Sequence, residues 1–235
     1  RMQESPIPYY VIEFLSEEWI TWSIFSLIFI VTPLVFAKYL NSSQKKYLLY
    51  IMSVLLIIEY TGENLKNILN GFWNIQYNLP IHLCGISTLI CCFLPFIKKQ
   101  KKWFEFVYYT GILGGLMAIL TPQINQFDGQ LSEYVNYYSS HSLIILIPLY
   151  MYMYQGAQLT KLSWLRLFFY LNLLVIIVMP INFIIGSNYM YLNELPGVDN
   201  PLIIGEWPYY ILFWELFVML LAYLLYVITK RRIAL

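Results

Sequence analysis

Charge is what this chain has least of. Of its 235 residues, 11% are Asp, Glu, Lys or Arg and 60% are hydrophobic, whereas a water-soluble domain carries about 25% charged residues. That balance excludes a soluble globule and implies an integral membrane protein, as does a mean hydropathy of +0.61. A net charge of +1 leaves no basic surface for nucleic acid. The three cysteines, Cys84, Cys91 and Cys92, all fall in one apolar segment, so no second segment offers a disulfide partner. The N-terminus has neither a basic n-region nor a small-residue cleavage site, which excludes a cleavable signal peptide. No repeat or linker is evident, so residues 1–235 read as one domain.

What is present is a series of apolar runs. Crossing the hydrocarbon core takes about 17 to 25 residues, and seven segments approach this: Trp19–Leu40, Tyr47–Leu69, Ile81–Ile97, Trp103–Leu120, His141–Tyr154, Leu165–Ile185 and Tyr209–Thr229. The expectation is an all-α membrane protein with seven transmembrane helices. The fifth run is short and extends to Ala157. Residues Tyr9–Glu18 mix apolar residues with Glu13, Glu17 and Glu18. They read as a short interfacial helix within a 1–18 outer segment, anchored by Trp19 and Trp22.

Lys and Arg decide orientation, because short loops rich in them stay cytoplasmic. Lys38, Lys45 and Lys46 flank the first loop, Lys98, Lys99, Lys101 and Lys102 the third, Lys161 and Arg166 the fifth, and Lys230, Arg231 and Arg232 the end. The alternate loops carry Asp128, Glu133, Glu194, Asp199 and Glu206. Seven crossings, an outside N-terminus and a cytoplasmic C-terminus satisfy this pattern. Abundant Ile, Asn, Lys and Tyr point to a low-GC bacterial source and its plasma membrane.

Only two histidines occur, His82 and His141, and both fall with Cys84 at the outward ends of apolar segments. Pro80 reads as the first residue of the third helix, and Ser139 or Ser140 as a cap for the fifth. A neutral imidazole at His141 is available as a base, and Cys84 lies at similar depth. His82, two residues from Cys84, points elsewhere on a regular helix. It is the weaker base unless Leu79–Cys84 is non-helical, and otherwise orients an ester or supplies an oxyanion contact. The plainer reading is a helix-end histidine and a small buried cysteine. Two histidines and a thiol match no strong zinc spacing, so no metal and no cofactor is expected.

Glu59, Glu63, Lys66, Asn67 and Asn70 form a polar stripe on the second segment. Ionisable groups in a membrane face a bundle interior or a wet cavity, and Glu63 with Lys66 reads as an ion pair. With Asn182 and Glu215 at comparable depth, the stripe implies a polar pocket opening outward. Gly111 and Gly115 make a small-xxx-small pair that permits close helix packing.

Four strings carry a resemblance: Leu79-Pro80-Ile81-His82-Leu83-Cys84, Tyr138-Ser139-Ser140-His141, Asn188-Tyr189-Met190-Tyr191-Leu192 and Gly205-Glu206-Trp207-Pro208-Tyr209-Tyr210. They resemble the motifs of YwaF-like bacterial membrane proteins, which are related to the transmembrane protein 164 acyltransferases. The resemblance implies a lipid acyltransferase with Cys84 as nucleophile, His141 as its partner and His82 completing the first motif. Substrate contacts then fall to Glu63, Lys66, Asn67, Asn182, Asn188 and Tyr189, with Asn182 and Tyr189 as candidate oxyanion donors. An outward site is out of reach of cytosolic acyl-CoA. The expected donor is therefore a membrane phospholipid, the reaction transacylation, and the acceptor a lysolipid or lipid-linked hydroxyl or amine. The alternative is a transporter or lipid-binding protein whose Glu59, Glu63, Lys66 and Glu215 line a path. Against it stands the absence of paired broken-helix repeats.

Overall fold

The computed structural model describes residues 9–98, 100–196 and 204–231. Residues 1–8 of the N-terminal segment, Lys99, Asp199 and Arg232 of the charge pattern lie outside them. Within these bounds the seven apolar segments form seven α-helices: α1 Glu17–Phe36, α2 Ser42–Leu69, α3 Leu83–Phe93, α4 Lys101–Leu120, α5 Leu131–Tyr154, α6 Ser163–Ile185 and α7 Tyr209–Arg231. Five of them, α1, α2, α4, α6 and α7, are long and apolar enough to cross a membrane. Hydrogen bonds from Tyr154 to Leu34 O, from Tyr150 to Lys45 O and between Tyr108 and Thr229 bring the helix ends together. The described Lys residues therefore collect at one end, apart from Lys66.

Among the described residues the expected interfacial helix is absent. Tyr10–Val11 is instead a strand, β1, paired antiparallel with β2, Gln123–Ile124. Glu17 and Glu18 already belong to α1, capped by the Ser16 hydroxyl, which accepts from the Trp19 amide. A loop edge close at hand offers Tyr10 and Val11 cross-strand hydrogen bonds. Stacking of Tyr10 on Phe127 at 4.6 Å adds contact that an interfacial helix lacks.

α4 and α5 form the centre, with α1, α2 and α3 packed around α5 and the α6–α7 pair meeting α4. Glycine makes the centre tight. A Cβ on Gly115 would sit 2.8 Å from the His141 carbonyl oxygen and 2.6 Å from Ile145 Cγ1, and one on Gly111 would collide with the Ile144 carbonyl oxygen. The small-xxx-small pair is thus the seam between α4 and α5.

α5 begins ten residues before the expected start at His141. Ser139 and Ser140 do not cap it; their hydroxyls donate back to the carbonyls of Val135 and Tyr137. Polar Glu133, Ser139 and Ser142 are buried inside the bundle, where a helix satisfies its own backbone whatever its composition. Its tyrosines reach the neighbours: Tyr150 donates to Lys45 O at 3.0 Å, and Trp22 stacks on Tyr134 and Tyr138.

α3 departs the other way. It starts at Leu83, with His82 rather than Pro80 at its entrance, and runs only to Phe93 before a 3₁₀ turn, Leu94–Phe96. The 14 residues Leu83–Phe96 rise roughly 21 Å at 1.5 Å per residue, short of a hydrocarbon core of about 30 Å. Residues 71–82, between α2 and α3, contain no helix.

Candidate active site

Relative depth follows from pairwise contacts between helices. Ser53 donates to the Cys91 carbonyl at 3.1 Å, and Tyr50 stacks on Phe96 at 5.0 Å, so Cys84 lies opposite about Tyr60 of α2. Asn136 donates to Glu63 at 3.3 Å, which puts His141 opposite about Ile58. Thiol and imidazole therefore share a level within one helical turn. That level is deeper than the helix-end position expected from sequence, since α2 continues to Leu69, roughly 14 Å further on.

Both side chains, together with His82, line one cavity of about 520 Å³ bordered by α2, α3, α4, α5, α6 and α7. Adjacent residues of α4 hold the two helices in place. A Cβ on Gly114 would lie 3.3 Å from the Cys84 sulphur, and Gly115 carries the His141 backbone.

The two imidazoles are held differently. His141 Nδ1 lies 2.6 Å from the Tyr137 carbonyl, which only accepts, so Nδ1 carries the proton and Nε2 keeps a lone pair. Tyr137 also packs its ring on His141 at 4.4 Å. His82 Nδ1 receives the Met190 amide at 3.2 Å. Its neutral ring therefore carries the proton on Nε2 as a donor.

Because His82 is extended at φ −65°, ψ 151°, the chain turns just before the helix, and the opposed directions expected of His82 and Cys84 on a regular helix do not apply. Cys84 is the second residue of α3. The amides of Leu83, Cys84 and Gly85 belong to the first turn, whose N–H groups have no intrahelical acceptor; among the described residues the first acceptor bond is Ile86 N to His82 O at 2.9 Å. Gly85 allows the Pro80 turn to fold over this end, for a Cβ there would meet Pro80 backbone at 3.0 Å.

A roof covers His82. Met190 and Tyr191 both have positive φ, 56° and 53°, conformations that cost non-glycine residues energy. Surrounding bonds hold them. Tyr210 donates its hydroxyl to the Tyr191 carbonyl, and Trp207 Nε1 donates to Leu192 O at 2.8 Å. The rings of Tyr189 and Tyr191 lie 5.0 and 5.5 Å from His82. Burial pushes the Tyr191 hydroxyl up to about 12, with the nearby Cys84 adding to it, so it stays protonated.

A family model described as the TMEM164 family matches residues 14–226. The chain belongs to the TMEM164 family. No curated protein and no solved structure matches it. The TMEM164 match takes in all four motif strings, and the fold gives each a physical place. The first string brings His82 and Cys84, the second brings His141, and the third and fourth form the roof.

The remaining candidates divide. Glu63 and Asn67 line the cavity, and Glu63 accepts from Asn67 at 3.4 Å. The expected Glu63–Lys66 pair gives way to another: Lys66 bonds Asp128 at 2.8 Å and Glu133 more closely still. Two carboxylates approaching from the β2–α5 side outcompete the one on its own helix, and Lys66 does not line the cavity. Asn182, Asn188 and Tyr189 do not line it either. Asn182 is fully buried, donating to Tyr189 O and accepting from Ser187 and the Tyr189 amide. Asn188 fastens the following turn by accepting from the Asn193 and Glu194 amides. Tyr189 bridges Ile75 O and Leu79 N through its hydroxyl at 2.7 and 2.9 Å. These three build the roof rather than meet a ligand in the cavity. Glu215 does line the cavity, bonded to Asn172 at 2.5 Å.

Sequence reasoning missed Met190 and Tyr191 as individuals, although their string was noticed. The signal was the pairing of two loop strings around short polar residues. Among the described residues no group of three His, Cys, Asp or Glu is arranged to hold a metal.

Proposed function

We propose that this TMEM164-family protein is a membrane lipid acyltransferase, a transacylase that moves a fatty acyl chain from a phospholipid ester through a thioester on Cys84. One observation carries the reading. A thiol and an imidazole offering Nε2–H from one string, and an imidazole with a free Nε2 from another, line one largely apolar cavity.

His141 Nε2 takes the thiol proton as the sulphur attacks the ester carbonyl. The developing oxyanion is met by His82 Nε2–H and the unclaimed amides at the start of α3. The carbon–oxygen bond breaks, the thioester forms, and the proton passes from His141 to the departing lysolipid oxygen. A lysolipid or lipid-linked hydroxyl then gives its proton to His141 and attacks the thioester. The carbon–sulphur bond breaks and the proton returns to the thiol, which closes the cycle.

In this reading all seven helices cross the bilayer. α5 crosses despite its polarity because it is shielded by protein, and α3 crosses with the help of residues 71–82. The N-terminus is outside and the Lys-rich end cytoplasmic. The site then faces the outer leaflet of a bacterial plasma membrane, and its donor is a lipid already there.

Purified protein incubated with phospholipid should gain an acyl mass that hydroxylamine removes, and Cys84→Ala should abolish it. No adduct with native lipid mixtures, combined with charge-dependent uptake into vesicles, overturns the enzyme in favour of a transporter using Glu63 and Glu215.

A further inference from the structure

The cavity continues past Cys84 toward the Lys-rich end as an apolar limb. Along α6 it is lined by Val175, Leu171 and Leu167, eight residues or roughly 12 Å. One leaflet of a hydrocarbon core is about 15 Å deep. Leu113 of α4 and Leu221 of α7 face it from the other sides. Its far end is closed. Tyr109 lines the cavity there, is fully buried and hydrogen-bonds Ser163 at 2.6 Å. Behind it, buried Glu105 holds Arg166 at 2.5 Å and the Thr160 amide at 2.8 Å. An empty apolar void costs stability in proportion to its volume, and the substance available to fill one inside a bilayer is a hydrocarbon chain.

We propose that this limb, from Cys84 to the Tyr109–Ser163 hydrogen bond, is a fatty-acyl slot whose closed floor sets the chain length accepted at the thiol. The inference rests on the acyl-transfer reading for its chemistry and on the cavity for its shape. The ester carbonyl sits at Cys84, the chain runs along α6 toward Leu167, and the headgroup stays among Glu63, Asn67 and Asn136 at the opposite mouth. Leu167 and Leu171 then act as a ruler.

Two measurements test it on the full chain in lipid nanodiscs. In the first, phospholipids of defined acyl length are offered and hydroxylamine-sensitive adducts are weighed. Leu167→Ala should shift the adducts toward longer chains and Leu171→Trp toward shorter ones; the wild-type length distribution in both variants overturns the ruler. In the second, Cys84→Ala is irradiated with a phospholipid bearing a diazirine on the last carbon of one chain. Cross-links on Leu167, Leu171 or Leu221 support the slot. Cross-links confined to the outward residues Phe169 and Ile176, which are 64% and 70% exposed, overturn it. Floor cross-links without any adduct in the first measurement retain the slot and sink the transfer chemistry, so the two failures are distinct.

Discussion

His82 and His141 present opposite faces of imidazole chemistry to one cavity: His82 Nδ1 accepts from the Met190 amide, whereas His141 Nδ1–H donates to the Tyr137 carbonyl. In the proposed cycle this makes His141 the base and His82 the donor. His141→Ala should slow adduct formation by about 10²- to 10⁴-fold, the usual worth of a general base. His82→Ala should cost about 10²- to 10³-fold, as for an oxyanion donor, and His82→Gln, which keeps an N–H, should lose less. Rates of thioester formation by intact mass decide it, and equal loss in His82→Gln and His82→Ala refutes the division of roles.

The seam between α4 and α5 predicts a contrast between two glycines in helices. Gly111→Ala pushes a methyl against the Ile144 carbonyl and should destabilise the protein by about 1–3 kcal/mol through overpacking. A methyl added at Gly62 in α2 would meet nothing within 4 Å, and Gly62→Ala should be neutral or stabilising by up to about 1 kcal/mol. Thermal unfolding in one detergent measures both, and a loss at Gly62 matching that at Gly111 contradicts the packing argument.

Glu105 accepts three hydrogen bonds, from the Thr160 amide and hydroxyl and from Arg166. Bonds to a charged acceptor contribute about 1.5–3 kcal/mol each before losses to exposure. Arg166 is partly solvated, so Glu105→Ala should cost about 2–4 kcal/mol in total, and Glu105→Gln less. A melting temperature unchanged in Glu105→Ala means that α6 is held by apolar packing alone.

Much of this architecture is legible in the residues themselves. Apolar runs record removal from water, into lipid or into the bundle, and each of the seven forms a helix. A small-xxx-small spacing has one economical use, and Gly111 and Gly115 have it. Where sequence and structure part, the missing information is tertiary. Ser132 to His141 reads as a polar loop because hydropathy does not distinguish water from a protein interior, yet this stretch is helix inside the bundle. Ile81–Ile97 reads as one continuous helix because apolar loop and apolar helix have the same composition, whereas α3 covers only Leu83–Phe93. Lys66 pairs with Asp128 and Glu133, 62 and 67 residues away, and no local spacing announces such partners. Asn182 looks like a ligand contact because a polar group in a membrane segment invites that reading, and Tyr189 because of its loop string; in the fold both are engaged with backbone groups.

Sidedness gives the last prediction. Gln130 at the start of α5 and Gln100 at the start of α4 lie at opposite ends of the bundle. Cysteines placed there should react with an impermeant maleimide from opposite sides, Gln130→Cys from outside the intact cell. Labelling of both from one side is incompatible with the proposed orientation.

The backbone between α2 and α3 is irregular, and it hands its polar groups to the far end of the chain: Ile75 O and Leu79 N to the Tyr189 hydroxyl, and His82 Nδ1 to the Met190 amide. During synthesis these donors emerge more than a hundred residues after Cys84. A nascent polypeptide inserted only through α5 thus bears His82 and Cys84 without the Met190 contact that fixes the His82 ring. Under the proposed reaction, latency is written into the order of translation: the thiol becomes competent only after the ribosome has delivered the α6–α7 hairpin.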